Sequence, residues 1–312
     1  MKIAILGRSS LLLNTGRLLH KQGHSIKLVG TADEEQYYTA GVRDFEAFAE
    51  EVGAIFFRDH KLNSENRIKQ LVESEAEIGV STNWPFILKE KVCGALTFGI
   101  LNGHAGDLPR YRGNACPNWA ILNGENKIGL CVHVMEPNKL DSGPVLTRAY
   151  LDNTNNTYIE DVYNWMDHKL PELFSESIKG LAKGTLIPKP QPENPDLALR
   201  CYPRRPDDNQ IDWKDSSENI HRLIRASSRP FSGAFTTLEG VGRLTIWRAE
   251  EFEHPGKFFA VPGQILFNHE EDPIIACGTG ALRLTEIFLD GVENSLAKKE
   301  VGRRVRSRLI NS

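Results

Sequence analysis

The chain has 312 residues, 40% of them hydrophobic and 25% charged, with a formal net charge of −3. That length buries a real core in two modest domains or one large one. The near-neutral charge gives no general reason to expect a nucleic-acid partner, because such binding rests mainly on Lys and Arg facing phosphates. The apolar run at residues 1–7 is too short for a secretory signal and ends at Arg8, and no stretch reaches the ~20 apolar residues of a membrane span, so a cytosolic protein with no membrane partner is expected. The five cysteines (Cys93, Cys116, Cys131, Cys201 and Cys277) are widely spaced with no C-x-x-C pair, which argues against a disulfide framework and a zinc site.

The run Lys2–Gly7 reads as a buried parallel strand, followed by a helical pattern over 10–22 and another strand over 25–30. Apolar runs recur at 54–57, 78–81 and 98–101, separated by amphipathic stretches such as 43–51 and 64–73. Short apolar strands alternating with helices imply β-α-β units and a parallel sheet, whose strand C-termini lie along one ligand-binding edge. The predicted class is therefore α/β, with a Rossmann-like N-terminal domain. Its first loop, Gly7-Arg8-Ser9-Ser10, has no further glycine until Gly16 and so lacks the G-x-G-x-x-G fingerprint, making an NAD- or FAD-linked enzyme a poor fit. The passage from Ile187 to Pro195 carries four prolines and can continue neither a helix nor a central strand. Beyond it come a helix over 216–225 and short β-type runs punctuated by glycines, which suit a small β-rich domain built as a partly open barrel. The expected division is a catalytic domain over 1–186, a linker over 187–200 and the small domain over 201–312.

The densest chemistry follows the run at 98–101. Asn102 and His104 stand two apart and on an extended segment point to the same side. Asp141 lies in a turn after the strand predicted at 129–135. An amide donor, an imidazole and a carboxylate at strand ends suit acyl transfer to an amine. His104 would accept the proton that the attacking amine loses, Asp141 would favour and orient the charged imidazole, and Asn102 would donate to the oxygen of the tetrahedral intermediate. From spacing alone Asn-x-His is a weak signal, and a lone His or Asp in a loop is more often structural. His133, inside an apolar strand, reads as a satisfied core histidine, and Trp119 as a core residue at a helix start.

Asn102-x-His104 with Leu108-Pro109-x-Tyr111-Arg112-Gly113, then Asn118-Trp119-Ala120-Ile121, then Leu140-Asp141-x-Gly143-Pro144, resembles the folate-dependent formyltransferase family, which includes methionyl-tRNA formyltransferase and the nucleotide-sugar N-formyltransferases. The similarity continues through Tyr202-Pro203-Arg204-Arg205-Pro206, Ile211-Asp212-Trp213 and Pro230-Phe231-Ser232-Gly233, and so covers nearly the whole chain. It implies an OB-like C-terminal domain, 10-formyltetrahydrofolate as the donor, no metal, and Asn102, His104 and Asp141 as the catalytic set. The folate is expected against Asn83, Trp84, Phe86, Ile87 and Leu88, with Met135 and Leu140 closing the other side. Arg112, Gly113, Asn114, Tyr202, Arg204 and Arg205 are the expected acceptor-binding residues, guanidinium groups being suited to a pyrophosphate. One departure stands out: many members have a Ser-Leu pair after the catalytic His, where this chain has Ala105-Gly106-Asp107.

Two acceptors compete within that family. Lys and Arg roughly balance Asp and Glu in the C-terminal part, apart from the basic run from Lys298 to Arg308, and the 118–125 stretch is closer to the sugar-nucleotide branch. The expected acceptor is therefore an amino sugar carried on UDP or dTDP and destined for a bacterial surface glycan, with no nucleic-acid partner. Methionyl-tRNA is the alternative. A nucleotide-binding module or a folate hydrolase that releases formate is the alternative of another class. Most members of the family self-associate, so the resemblance also implies a homodimer.

Overall fold

The computed structural model describes residues 1–35 and 38–311. The elements in chain order are β1 (Lys2–Gly7), α1 (Ser10–Lys21), β2 (Ser25–Thr31), α2 (Val42–Val52), β3 (Ile55–Arg58), α3 (Glu65–Glu73), β4 (Ile78–Thr82), α4 (Glu90–Cys93) and β5 (Ile100–His104). There follow β6 (Tyr111–Gly113), α5 (Cys116–Leu122), β7 (Lys127–Val134), β8 (Val145–Asp152), α6 (Ile159–Ala182), β9 (Leu199–Cys201) and α7 (Ser217–Ser227). The chain ends with β10 (Ala234–Leu238), β11 (Gly242–Phe252), β12 (Ile265–His269), β13 (Asp272–Ala276), β14 (Ala281–Leu289), α8 (Asn294–Gly302) and β15 (Leu309–Ile310).

Two compact units result. The first comprises Met1–Cys116, Lys127–Leu151 and Tyr163–Tyr202, and the second Pro117–Asn126, Asp152–Val162 and Pro203–Ser312. This differs from the sequential division at residue 186. The proline-rich passage is no free linker, because Lys189 and Val145 exchange two backbone hydrogen bonds of 2.8 Å and β9 pairs with β6 in parallel. The segment 152–162 folds with the second unit, where the Arg225 guanidinium donates to Asn153 Oδ1 and to the carbonyls of Thr154 and Thr157.

A seven-stranded sheet in the order β3-β2-β1-β4-β5-β7-β8 forms the first unit. From β3 to β5 all pairings are parallel. Strands β1 and β4 are buried along almost their whole length, as two-sided coverage by helices demands; β1 is correspondingly an Ile-Ala-Ile-Leu run after Lys2, while β4 mixes Ile78 and Val80 with small residues. The strand order reverses between β1 and β4, so Gly7, Thr82 and Asn102 end on the same sheet edge, where ligands of open α/β sheets bind. β7 then enters antiparallel to β5, which makes the sheet parallel-dominated rather than wholly parallel.

The second unit is an antiparallel sheet in the order β12-β13-β14-β11-β10-β15. Its outer strands return toward each other through the Gln264–Arg308 bridge and the Leu309 N–H to Gly263 O bond of 2.8 Å, giving a barrel-like curl. Inside lie Trp213, Ile220, Ile224, Ile246, Leu284 and Val301, all within one buried apolar cluster. Helix α7 covers this core with one face: Ile220, His221 and Ile224 are buried at i, i+1 and i+4, and Ser216 caps it by accepting from the Asn219 N–H.

His221 is 4% exposed and its Nε2 is without a partner. Burial, and then the Arg225 charge, push its imidazole down to about 4. Between pH 6.5 and about pH 4 the unfolded chain therefore binds a proton that the folded chain refuses, and stability falls as pH drops through that window, by about 3 kcal/mol in all. His221→Leu should flatten this part of the decline when urea midpoints are followed from pH 7 to pH 4.5. An unaltered slope would contradict the assignment.

Candidate active site

β5 carries Asn102 and His104 as two of its last three residues, so the pleat turns both side chains to one face. The residue between them faces the other way. A Cβ on Gly103 would stand 2.8 Å from Leu170 Cδ1 and 2.9 Å from Phe174 on α6, so any larger residue would force these two side chains to shift. Both side chains are nearly withdrawn from water, Asn102 at 8% and His104 at 6% exposure.

β7 runs antiparallel beside β5 with Asn102 directly opposite His133. Asn102 Nδ2 lies 3.1 Å from His133 Nε2, and His133 Nδ1 lies 3.0 Å from the Val134 carbonyl. A carbonyl only accepts, so Nδ1 carries the proton and, in the neutral ring, Nε2 accepts one of the two Asn102 amide hydrogens. His133 is therefore part of the cluster and more than the core histidine that its apolar strand suggests. The signal was available in the register: in an antiparallel pair the residue opposite Asn102 is its closest cross-strand neighbour.

Asp141 reaches the same place from the turn between β7 and β8, with φ at +48°, a conformation that aspartate tolerates better than most residues. Its Oδ2 accepts the Gly113 N–H at 2.9 Å and lies 3.5 Å from His104 Nδ1, while Oδ1 lies 3.6 Å from His133 Nε2. Burial is the largest influence on this carboxyl and opposes its ionisation. The His104 charge, the hydrogen bond and charge of His133, and the Gly113 amide together outweigh it and hold Asp141 well below the usual carboxylate range. Gly113 is glycine because φ is +106° there and a Cβ would meet the Cys201 carbonyl oxygen at 2.4 Å.

The tautomer of His104 follows from its other side. Nε2 is 2.6 Å from the Tyr111 carbonyl oxygen and so carries a proton, leaving Nδ1, beside Asp141, as the basic atom of the neutral ring. Cys116 Sγ is 3.8 Å from the same Nε2. A hydrogen bond with Cys201 and burial push the Cys116 thiol far above its ordinary range, so it is no nucleophile.

Gln191, in the passage expected to be a linker, holds the Asp141 turn. Its Nε2 donates at 2.8 Å to the carbonyls of both Asp141 and Gly143, and its Oε1 accepts from Arg112 Nη2 at 2.6 Å. Arg112, expected to contact the acceptor, is thus committed within the chain. No sequence signal marked Gln191, because its role depends on a return of the chain from about fifty residues away.

The loop after β4 places the expected folate residues side by side. Asn83 has φ +53°, donates from Nδ2 to Ser9 Oγ at 3.2 Å, and gives its carbonyl to Arg8. Trp84, Leu88 and Met135 pack in one apolar cluster, while Phe86 and Ile87 are about half exposed. The Leu88 carbonyl accepts the Asn138 N–H at 2.9 Å, tying this loop to the one that carries Leu140 and Asp141. Of the expected acceptor residues, Asn114 and Tyr202 are exposed, and the Asn114 N–H donates to the Cys201 carbonyl. Arg204 lies 5.4 Å over the Trp119 ring and donates to Asp208 O and Asn209 Oδ1, whereas Arg205 is exposed and its side chain free of a hydrogen-bond or ion-pair partner among the described residues. A cavity of about 600 Å³ between α1 and α6 contains none of these residues.

Residues 1–178 match the formyl transferase model, and residues 204–298 match the model of the formyl transferase C-terminal domain. The chain belongs to the formyl transferase family. It is 29% identical over 295 residues to a methionyl-tRNA formyltransferase of Caldanaerobacter subterraneus, covering 93% of each chain. Among solved structures it is similar to HypX from Aquifex aeolicus in complex with tetrahydrofolic acid, with a TM-score of 0.64 and 18% identity over 98% of this chain. The chain spans about half of HypX, 48% of its length. It is also similar to an N-formyltransferase from Helicobacter canadensis, solved with folinic acid and dTDP-3-aminofucose, at a TM-score of 0.64 and 17% identity over 91% of this chain and 98% of that one. At such identities the structural likeness shows the shared fold.

Removing His133 should disturb the formyl transferase through Asn102. His133→Leu leaves the amide without its cross-strand partner, and kcat should fall by about 10- to 100-fold. Steady-state kinetics check this, and a kcat within about twofold of wild type would detach His133 from the site.

Proposed function

We propose that this formyl transferase takes its formyl group from 10-formyltetrahydrofolate and passes it to the amine of a UDP- or dTDP-linked amino sugar, in the assembly of a bacterial surface glycan. The observation that carries the chemistry is the buried cluster of Asn102, His104, His133 and Asp141 at one sheet edge. The amine attacks the formyl carbon, and the carbonyl oxygen becomes an oxyanion. The Asn102 amide hydrogen not given to His133 donates to it, a contact worth about 10²–10³-fold. His104 Nδ1 takes the proton that the amine loses, and the imidazolium gains the Asp141 carboxylate 3.5 Å away. As the bond from carbon to folate N10 breaks, the same proton passes to N10. Amine and N10 exchange formyl for hydrogen, and His104 ends as it began.

The folate reading is supported by the loop after β4. Trp84 Nε1 in this loop and Ser81 Oγ at the end of β4 are buried polar atoms without a partner among the described residues, and Phe86 and Ile87 of the loop are half exposed. Unpaired donors next to an apolar face suit a flat heterocycle edged with polar atoms. The solved relatives that hold tetrahydrofolic acid and folinic acid share this fold.

For the acceptor, the second unit supplies the argument. From Pro203 to Ser312 it has 16 Lys and Arg against 16 Asp and Glu, and three of the six cations of its basic run are paired internally. Lys298 bonds Asp272 at 2.6 Å, and Arg303 and Arg304 both meet Glu300. A surface so neutralised offers little to a long phosphate backbone. The match to methionyl-tRNA formyltransferases along 93% of both chains supports methionyl-tRNA as the second reading. Arg205, exposed and with no side-chain partner among the described residues, is the better candidate for a diphosphate than Arg204.

A coupled assay of tetrahydrofolate release with a panel of UDP- and dTDP-amino sugars, beside methionyl-tRNA, decides between the acceptors. Turnover with a sugar and none with the tRNA supports the proposal, and turnover with the tRNA alone overturns it. With the accepted substrate, His104→Ala should cost about 10²–10⁴-fold in kcat. Arg205→Ala should raise the acceptor KM by about tenfold with kcat little changed. An unaltered KM would remove Arg205 from the acceptor site.

A further inference from the structure

The one place where the catalytic segment departs from its family resemblance, Ala105-Gly106-Asp107, is also where it is fastened to the sheet. Asp107 Oδ1 accepts from the Arg148 guanidinium and, at 2.9 Å, from the Tyr150 hydroxyl. Arg148 Nη2 donates to the Leu108 carbonyl at 2.7 Å, and Arg148 Nη1 also reaches the Tyr150 oxygen at 3.2 Å. Two residues of β8, on the same face because they stand two apart, thus grip two consecutive residues of the loop. The Asp107 carbonyl in turn accepts the Tyr111 N–H at 3.0 Å, and the Tyr111 carbonyl accepts the His104 Nε2 proton at 2.6 Å. A continuous chain of hydrogen bonds therefore runs from Arg148 to the imidazole.

We propose that Asp107, through its bonds to Arg148 and Tyr150, is a positioning residue for His104. The inference rests on the catalytic reading of His104. The clasp fixes the loop that carries the Tyr111 carbonyl, and that carbonyl keeps the proton of His104 on Nε2 and the basic Nδ1 beside Asp141. Without the clasp the carbonyl is free to drift, and either tautomer and either ring orientation become available. Asp107 and Arg148 each keep about a third of their side-chain surface exposed, at 32%, so as an ion pair they contribute little to stability. The consequence falls on geometry, where a misplacement of about 1 Å costs on the order of 10²-fold in rate.

The test is kinetic and uses the full chain with whichever acceptor supports turnover. Asp107→Ala should lower kcat by about tenfold or more with the donor KM unchanged, at a temperature where circular dichroism shows the variant folded. Asp107→Asn keeps an oxygen acceptor for Arg148 and Tyr150 and should recover most of the rate. Arg148→Met should match Asp107→Ala, and the double variant should be no slower than either single one, since both break the same clasp. A normal kcat in folded Asp107→Ala would overturn the proposal, as would additive losses in the double variant. Loss of turnover in His104→Ala alongside a normal Asp107→Ala would leave the catalytic reading standing and refute only the clasp. Normal turnover in His104→Ala would refute both.

Discussion

A carboxylate withdrawn from water must find partners or give up its charge, and Asp141 meets that demand with two imidazoles and a backbone amide. Its side chain retains 11% of its exposure, and the three partners come from three separate stretches of chain. Gly113 is fixed by its bond to the carboxylate and by the pairing of β6 with β9, whereas the two rings stand 3.5 and 3.6 Å from it and are held from their other sides, His104 by the Tyr111 carbonyl and His133 by Asn102 and the Val134 carbonyl. The charge of one residue thus stands at the meeting point of β5, β7 and the loop between them. Without it, neither imidazole would have an anion beside it to stabilise a positive charge, although the Tyr111 and Val134 carbonyls would still set their tautomers.

The sheet makes this possible by a single change of direction. Five parallel strands bring their C-termini to one edge, and β7, entering antiparallel beside β5, sets His133 against Asn102. The hairpin turn after β7 then carries Asp141 back over the same edge, where Gln191 pins its carbonyls. Local strain at Asp141 is tolerated because turn, strand and returning chain all constrain it.

Much of this was legible in the sequence. Short, largely apolar runs such as those within Lys2–Gly7 and 78–81 disclosed the parallel strands, because strands covered on both faces need no polar alternation. The i, i+2 spacing of Asn102 and His104 disclosed their common face. His133 was hidden because its apolar neighbours make it read as a core histidine, and only the register with β5 brings it beside Asn102. Gln191 and the proline-rich passage were hidden for a different reason. Proline excludes helix and central strand but not a single pair of hydrogen bonds at a strand end, and that pair is how Lys189 docks on Val145. The segment 152–162 likewise joins the second unit through the Arg225 hydrogen bonds and through Tyr158, which enters its apolar core and bonds Ala249, contacts that no local pattern announces.

The most direct test of the central claim is the rate of formyl transfer in Asp141→Asn, measured beside its affinity for the folate by calorimetry. Asparagine preserves the shape and still accepts the Gly113 N–H, but it cannot carry the charge that orders His104 and His133. The account predicts a kcat lower by about 10²–10⁴-fold with folate affinity within a few-fold of wild type. A kcat within about twofold of wild type would contradict it, and the site would then owe its organisation to hydrogen bonding alone.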